Sequence, residues 1–216
     1  MFIEGEFLIL FLLFLIAMLY SSVGHGGASG YLAILSLTIY AEYDSGWLKQ
    51  HAWALNLVVA AIAFYHYKKA GFFNIKLTFP FILASIPFAI IGGYMKVDGV
   101  FYDTLLSITL VWAAYKLLQV KEIYSTIEFQ VPSLRYAAPI GGGIGLMSGI
   151  IGVGGGIFLS PILLLKKWAD PKTAAATAAL FIWVNSMAGL VGAGICLLYT
   201  SPSPRDMRRS RMPSSA

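Results

Sequence analysis

Two short runs hold the residues best suited to chemistry. One is Ser22-Val23-Gly24-His25-Gly26-Gly27-Ala28, and the other is Ile150-Ile151-Gly152-Val153-Gly154-Gly155-Gly156, 128 positions further on. Both sit between apolar runs. Glycine has no Cβ, so it lets a backbone leave the helix and come close to a ligand. A helix that restarts after such a break offers free N–H groups and the positive end of its dipole, which attract an anion. The chemistry this pattern suits is recognition of a small anion. Close helix packing by small residues is the competing reading, and the duplication favours substrate lining. His25 adds an imidazole that could relay a proton near neutral pH. The second run has Val153 in its place, so the backbone pattern does not itself need a histidine. A hydrogen bond to a neighbouring carbonyl, with no titration, is the plainer role for it.

Other polar residues stand in apolar surroundings. Asn56 and Asn185 match at an offset of 129, each amid apolar neighbours, and need partners on other helices or a substrate. Ser22, Ser29 and Ser148 could add hydroxyl donors near the breaks, and Thr173 and Thr177 could share a face with Asn185. His51 and His66 read as interfacial, and Trp47, Trp53, Tyr65, Tyr67 and Trp168 as interface anchors or packing. Pro80, Pro87 and Pro161 are expected to kink their segments, and Asp103 and Lys116 to snorkel. No carboxylate stands at a segment centre, no nucleotide-binding motif is present, and the three histidines lack metal-ligand spacing. Neither a cofactor nor a metal is expected. The single cysteine, Cys196, excludes an internal disulfide.

The elements that must position these residues are membrane helices. Apolar residues make up 58% of the 216 and charged residues 12%. Mean hydropathy is +0.77. A soluble domain carries about twice that charge. The fold class is therefore an all-α, polytopic integral membrane protein with Gly-broken helices. Membrane-length apolar segments are predicted at Phe7–Ser22, Ala28–Tyr40, Leu48–Tyr67, Ile75–Met95, Val100–Leu118, Tyr136–Ile150, Gly156–Leu165 and Thr173–Ile195. The start of the chain lacks a basic region and a small-residue cleavage site, so the first segment is expected to remain as a span.

The matching motifs divide the chain into a first repeat at 1–119, a polar link at 120–135 and a second repeat at 136–195. An odd number of spans separates the repeat starts, which inverts the second. The basic loops around Lys68, Lys69 and Lys76, and around Lys166, Lys167 and Lys172, then fall on one side. By the positive-inside rule that side is cytoplasmic and the N-terminus is outside. Net charge is +5, but residues 196–216 hold four of the five arginines. The body is nearly neutral and nucleic-acid binding is not expected. By the offset, the second repeat should run on near residue 248, so the Ser/Pro/Arg-rich stretch 196–216 reads as a non-native or disordered tail on an incomplete repeat.

Three stretches carry a family resemblance: Tyr20–Tyr31, Gly152–Pro161 and Thr177–Gly189. They resemble the sulfite exporter family, TauE/SafE, over roughly residues 7–195. The resemblance implies an inner-membrane permease with duplicated halves, associated with sulfite and sulfonate anions. It places Gly24, Gly26, Gly27, Gly152, Gly154, Gly155 and Asn185 at the transport path. Joined to the residue reading, it gives a candidate site of Gly24, His25, Gly26, Gly27, Ser29, Asn56, Gly152, Gly154, Gly155, Gly156 and Asn185. The expectation is a secondary transporter of a small anion, with a sulfur oxyanion or sulfonate as first candidate and a proton or other coupling ion. The expected partners are that anion and the lipid bilayer, and the oligomeric state is open. An intramembrane enzyme or a non-transporting membrane subunit are the alternatives; the first lacks an acid to orient His25.

Overall fold

The computed structural model describes residues 2–97, 100–118 and 131–200. The described residues form eight α-helices and no strand: α1 Phe2–Ser22, α2 Ala28–Ser36, α3 Ser45–Lys69, α4 Ile75–Tyr94, α5 Val100–Leu118, α6 Leu134–Ile151, α7 Gly156–Leu165 and α8 Pro171–Thr200. A 3-10 turn, Ile39–Glu42, follows α2. Each helix coincides with an expected segment. Most of the link, the side chains of Lys116 and Cys196, and residues 201–216 lie outside the described residues.

Several boundaries move, and capping chemistry fixes three helix starts, two of them shifted from expectation. Asp44 accepts a hydrogen bond from Trp47 N at 2.7 Å, which starts α3 at Ser45 and draws Trp47 into the helix. Asn74 accepts from Lys76 N and Leu77 N and opens α4. Asp170 accepts from Lys172 N and Thr173 N, and Pro171 takes the first helical position of α8, where its missing N–H costs nothing. The second segment is shorter than expected: α2 stops at Ser36 and the chain tightens into the 3-10 turn. Helix α6 begins at Leu134, so Arg135 belongs to it and not to the link, and α8 continues to Thr200, past the expected end at Ile195. Helix α4 runs on through Pro80 and Pro87, and α7 through Pro161.

Two helical stretches, Ile75–Tyr94 and Pro171–Gly194, are long and apolar enough to cross a membrane. Shorter apolar stretches occupy Glu6–Ser22, Val100–Trp112 and Gly156–Leu165. Many large apolar side chains point outward, among them Phe7, Phe11, Val58, Leu83, Val111 and Val191. Water would penalise such a surface and lipid would not.

Glycine faces hold the bundle together. On α6, Gly141, Gly145 and Gly149 recur every fourth residue, and a Cβ on each would meet the backbone carbonyl of Phe81, Ser85 and Ala89 on α4. Gly93 of α4 approaches Gly189 of α8, and Gly192 of α8 approaches Ile90 of α4. Apolar solvent gives helices no hydrophobic reason to associate, so backbone approach of this kind supplies the packing energy. Helix α8 also packs on α3, where Gly189 makes room for the fully buried Trp53. Trp53 is therefore packing and not an interface anchor.

The loop before α4 and the loop before α8 share one end of the bundle. Lys172 Nζ lies 4.8 Å from the Phe72 ring centroid, and the buried hydroxyls of Thr78 and Thr177 meet at 3.0 Å. Thr78 donates to Asn74 O, so Thr177 is the donor in that pair. Helix α3 arrives at this end and α8 departs from it, so the two run in opposite directions. At the far end Lys49 Nζ donates to Met95 O at 3.3 Å and Ser45 Oγ to Val97 O at 2.6 Å.

Candidate functional site

Both glycine runs are true interruptions. Helix α1 closes with the Gly24 N–H on Ser21 O and the His25 N–H on Tyr20 O, the paired pattern of a glycine-terminated helix. Gly24 has φ +75°, and Gly27, the residue before α2, has φ +93°. The second break repeats the device, with Gly152, Gly154 and Gly155 all at positive φ.

The two breaks converge. A Cβ on Gly26 would collide with the Asn56 side-chain amide and would stand 2.8 Å from Ile182 Cγ2. A Cβ on Gly154 would stand 2.6 Å from Asn56 Nδ2 and 2.9 Å from the same Ile182 carbon. Gly156 also abuts Ile182. One amide from α3 and one aliphatic side chain from α8 thus touch both interruptions. Asn56 is fully buried. Its Oδ1 accepts from Ala28 N, the first amide of α2, at 3.1 Å, and its Nδ2 donates to Ser186 Oγ at 3.3 Å. It caps a helix start in the first half and reaches α8 in the second.

Asn185, the matching residue, behaves differently. Its Nδ2 donates to Phe181 O in its own helix at 2.8 Å, and its buried Oδ1 has no protein partner. The N-terminus of α7 has no side-chain cap. The predicted equivalence of the two asparagines thus holds for position and burial but not for bonding. Ser29 is buried and donates to Tyr20 Oη at 3.2 Å. Ser22 is exposed and returns its hydroxyl to Leu19 O, so it is turned away from the break. His25 is 8% exposed, with its Nδ1 on Val23 O at 3.0 Å and its Nε2 without a protein partner.

The remaining glycines fill tight contacts around the crossing: Gly24 against Ala175, Gly27 against the Tyr31 ring, Gly152 against the Lys49 stem and Gly155 against Phe181. Four contributors carry no signal that sequence reasoning used. Ile182 and Tyr31 are ordinary apolar-segment residues by type. Ser186 follows Asn185 directly, and only packing shows that it is the partner of Asn56. Lys49 is 2% exposed beside Gly152, although it stands at the second position of a predicted segment. Thr177 pairs with Thr78 instead of joining Asn185. His51 is exposed and stacks on Trp47 at 3.8 Å between centroids.

A cavity lies at each end of the bundle. At the end with the loops before α4 and α8, a space of about 600 Å³ is lined by His25, His66, Tyr67, Phe72, Ser160 and Lys172. At the opposite end, a smaller one of about 240 Å³ is lined by Lys49, Gln50, Met95 and Lys96. No carboxylate lines the first, whereas Asp44 lies on the second.

The described residues form an all-helical bundle with outward apolar faces and two interruptions joined at a buried amide, the make-up of a membrane protein. The chain belongs to the sulfite exporter TauE/SafE family, whose pattern matches residues 9–203. It is 35% identical over 184 residues to a protein of Sinorhizobium fredii (strain NBRC 101917 / NGR234) described as the probable membrane transporter protein y4hK; the match covers 83% of this chain and 73% of that protein. No solved structure matches the chain. The family is one of membrane transporters and not of enzymes.

Proposed function

We propose that the chain is a secondary transporter of a small anion, with sulfite or a sulfonate as the substrate class. The observation that carries this reading is the meeting of both glycine breaks on Asn56, with a lysine-bearing cavity on either side. Helix N-termini and lysines favour an anion, and non-helical backbone inside a membrane is tolerated where it lines such a path. The candidate site is the set Gly24, His25, Gly26, Gly27, Ser29, Asn56, Gly152, Gly154, Gly155, Gly156 and Asn185, to which Ile182 and Ser186 are added. The antiparallel course of α3 and α8, each following a glycine break, supports two inverted repeats at 1–119 and 136–195 joined by the polar link. Alternating access would rock one repeat against the other around the Asn56 contact. The shared end that carries Lys68, Lys69 and Lys172 is read as cytoplasmic, with the N-terminus outside and the protein in the inner membrane.

Reconstituted vesicles loaded with sulfite or methanesulfonate test this. The expected result is protein-dependent anion efflux that Gly154→Ala reduces at least tenfold while the purified variant remains monodisperse. Vesicles that hold both anions as well as protein-free controls would overturn the transporter reading.

A further inference from the structure

The 600 Å³ cavity contains polar groups that the protein leaves unspent. Ser160 is 4% exposed, and its Oγ has no protein partner. Helical hydroxyls ordinarily return to a carbonyl one turn back, as Ser22, Thr78 and Thr109 do here. Ser160 does not, although it stands in the middle of α7. His25 comes from the other break, and its Nε2 is also buried and unpartnered. Its Nδ1 faces a carbonyl, which can only accept, so Nδ1 carries the hydrogen. In the neutral ring Nε2 is then a bare acceptor, and it can hold an anion only after gaining a proton.

The surroundings of His25 can be named element by element. Tyr20 of α1 stands edge-on to the imidazole at 6.4 Å between centroids. His66 and Tyr67 of α3 line the same cavity, as does Lys172 of α8, whereas α7 contributes the uncharged Ser160 and Leu164. Tyr67 Oη donates to Ser22 O and closes the wall beside α1. Asp170, the nearest acid in sequence to this rim, is turned to the start of α8, where it accepts from Lys172 N, Thr173 N and the Thr173 hydroxyl. The cavity therefore has cationic and hydroxyl groups and no lining carboxylate.

We infer that this cavity is a loading subsite, separate from the Asn56 crossing, that takes an oxyanion and one proton together. The Ser160 hydroxyl donates to one anion oxygen, Lys172 supplies positive charge at the mouth, and a proton from bulk water moves onto His25 Nε2, which then donates to a second oxygen. Anion and proton enter as a neutral pair, which lowers the cost of bringing the charge into an apolar interior. This subsite rests on the transporter reading above.

The test is isothermal titration of the whole protein in nanodiscs, with methanesulfonate and, separately, sulfite. Methanesulfonate carries no proton of its own near neutral pH. Runs in buffers of different ionisation enthalpy count the protons taken up. The expected result is about one proton per methanesulfonate. Ser160→Ala and Lys172→Gln should each weaken binding roughly tenfold. His25→Gln keeps a hydrogen-bonding side chain that cannot be protonated, so it should bind with no proton uptake. Binding without proton uptake by the unaltered protein, or full uptake by His25→Gln, overturns the subsite. If vesicles still transport the anion in that case, the transporter reading survives alone. If neither anion binds or is transported, both readings fall.

Discussion

Asn56 and Asn185 look alike in sequence, and their bonds set them apart. Asn56 holds Ala28 N–H, a buried donor at the start of α2, while Asn185 bonds a carbonyl already inside its own helix. Stranding a buried donor costs about 1–3 kcal/mol, more than losing a redundant bond. Asn56→Ala should therefore lower the thermal midpoint more than Asn185→Ala does, as read by differential scanning fluorimetry in detergent. Equal losses would mean that the Asn56 cap is not what holds α2. That both asparagines matter was readable, since an amide amid apolar neighbours demands a partner. Which partner each takes was not, because Asn56 accepts from the backbone N–H of Ala28 and Asn185 donates to the backbone carbonyl of Phe181, and neither of those residues carries a polar side chain.

At the scale of helices, α6 offers two kinds of glycine. Gly145 lies against the Ser85 backbone of α4, whereas a Cβ on Gly143 would meet nothing within 4 Å. Gly145→Val should cost about 1–3 kcal/mol or more through overpacking. Gly143→Ala should be neutral or stabilise by about 0.5–1 kcal/mol, the usual gain of removing a mid-helix glycine. Denaturant melts followed by circular dichroism would separate them, and equal effects would count against the α4–α6 contact described above. The helices themselves were legible as apolar runs ending at Gly and at Asn or Asp caps. The early start of α3 turned on Asp44, a cap lying just before Ser45-Gly46-Trp47, which the predicted apolar segment did not include. The pairing of α6 with α4 was hidden, because a glycine stripe shows that something approaches closely without showing which helix does.

For the whole molecule, the shared end of the two basic loops has a direct consequence. In a variant with Cys196 replaced by Ser, single cysteines at Lys68 and Lys166 should react with an impermeant maleimide from the same side of a sealed membrane, and one at Lys96 from the other. Labelling of Lys68→Cys and Lys166→Cys from opposite sides would contradict the antiparallel course of α3 and α8 that the inverted-repeat proposal uses. The chain's composition determined that it is helical and lives in lipid, and its duplicated glycines determined where the helices stop. Those properties are local: hydropathy, missing Cβ atoms and capping side chains act within a few residues. Only the tertiary structure decided that the two breaks face one another across Asn56 and Ile182, that Ser160 and His25 open into one cavity, and that Lys49 is buried beside Gly152. Each of these brings together residues distant in the chain. They depend on how closely whole helices approach, which is set by the sum of many backbone contacts along glycine faces and not by any single residue type.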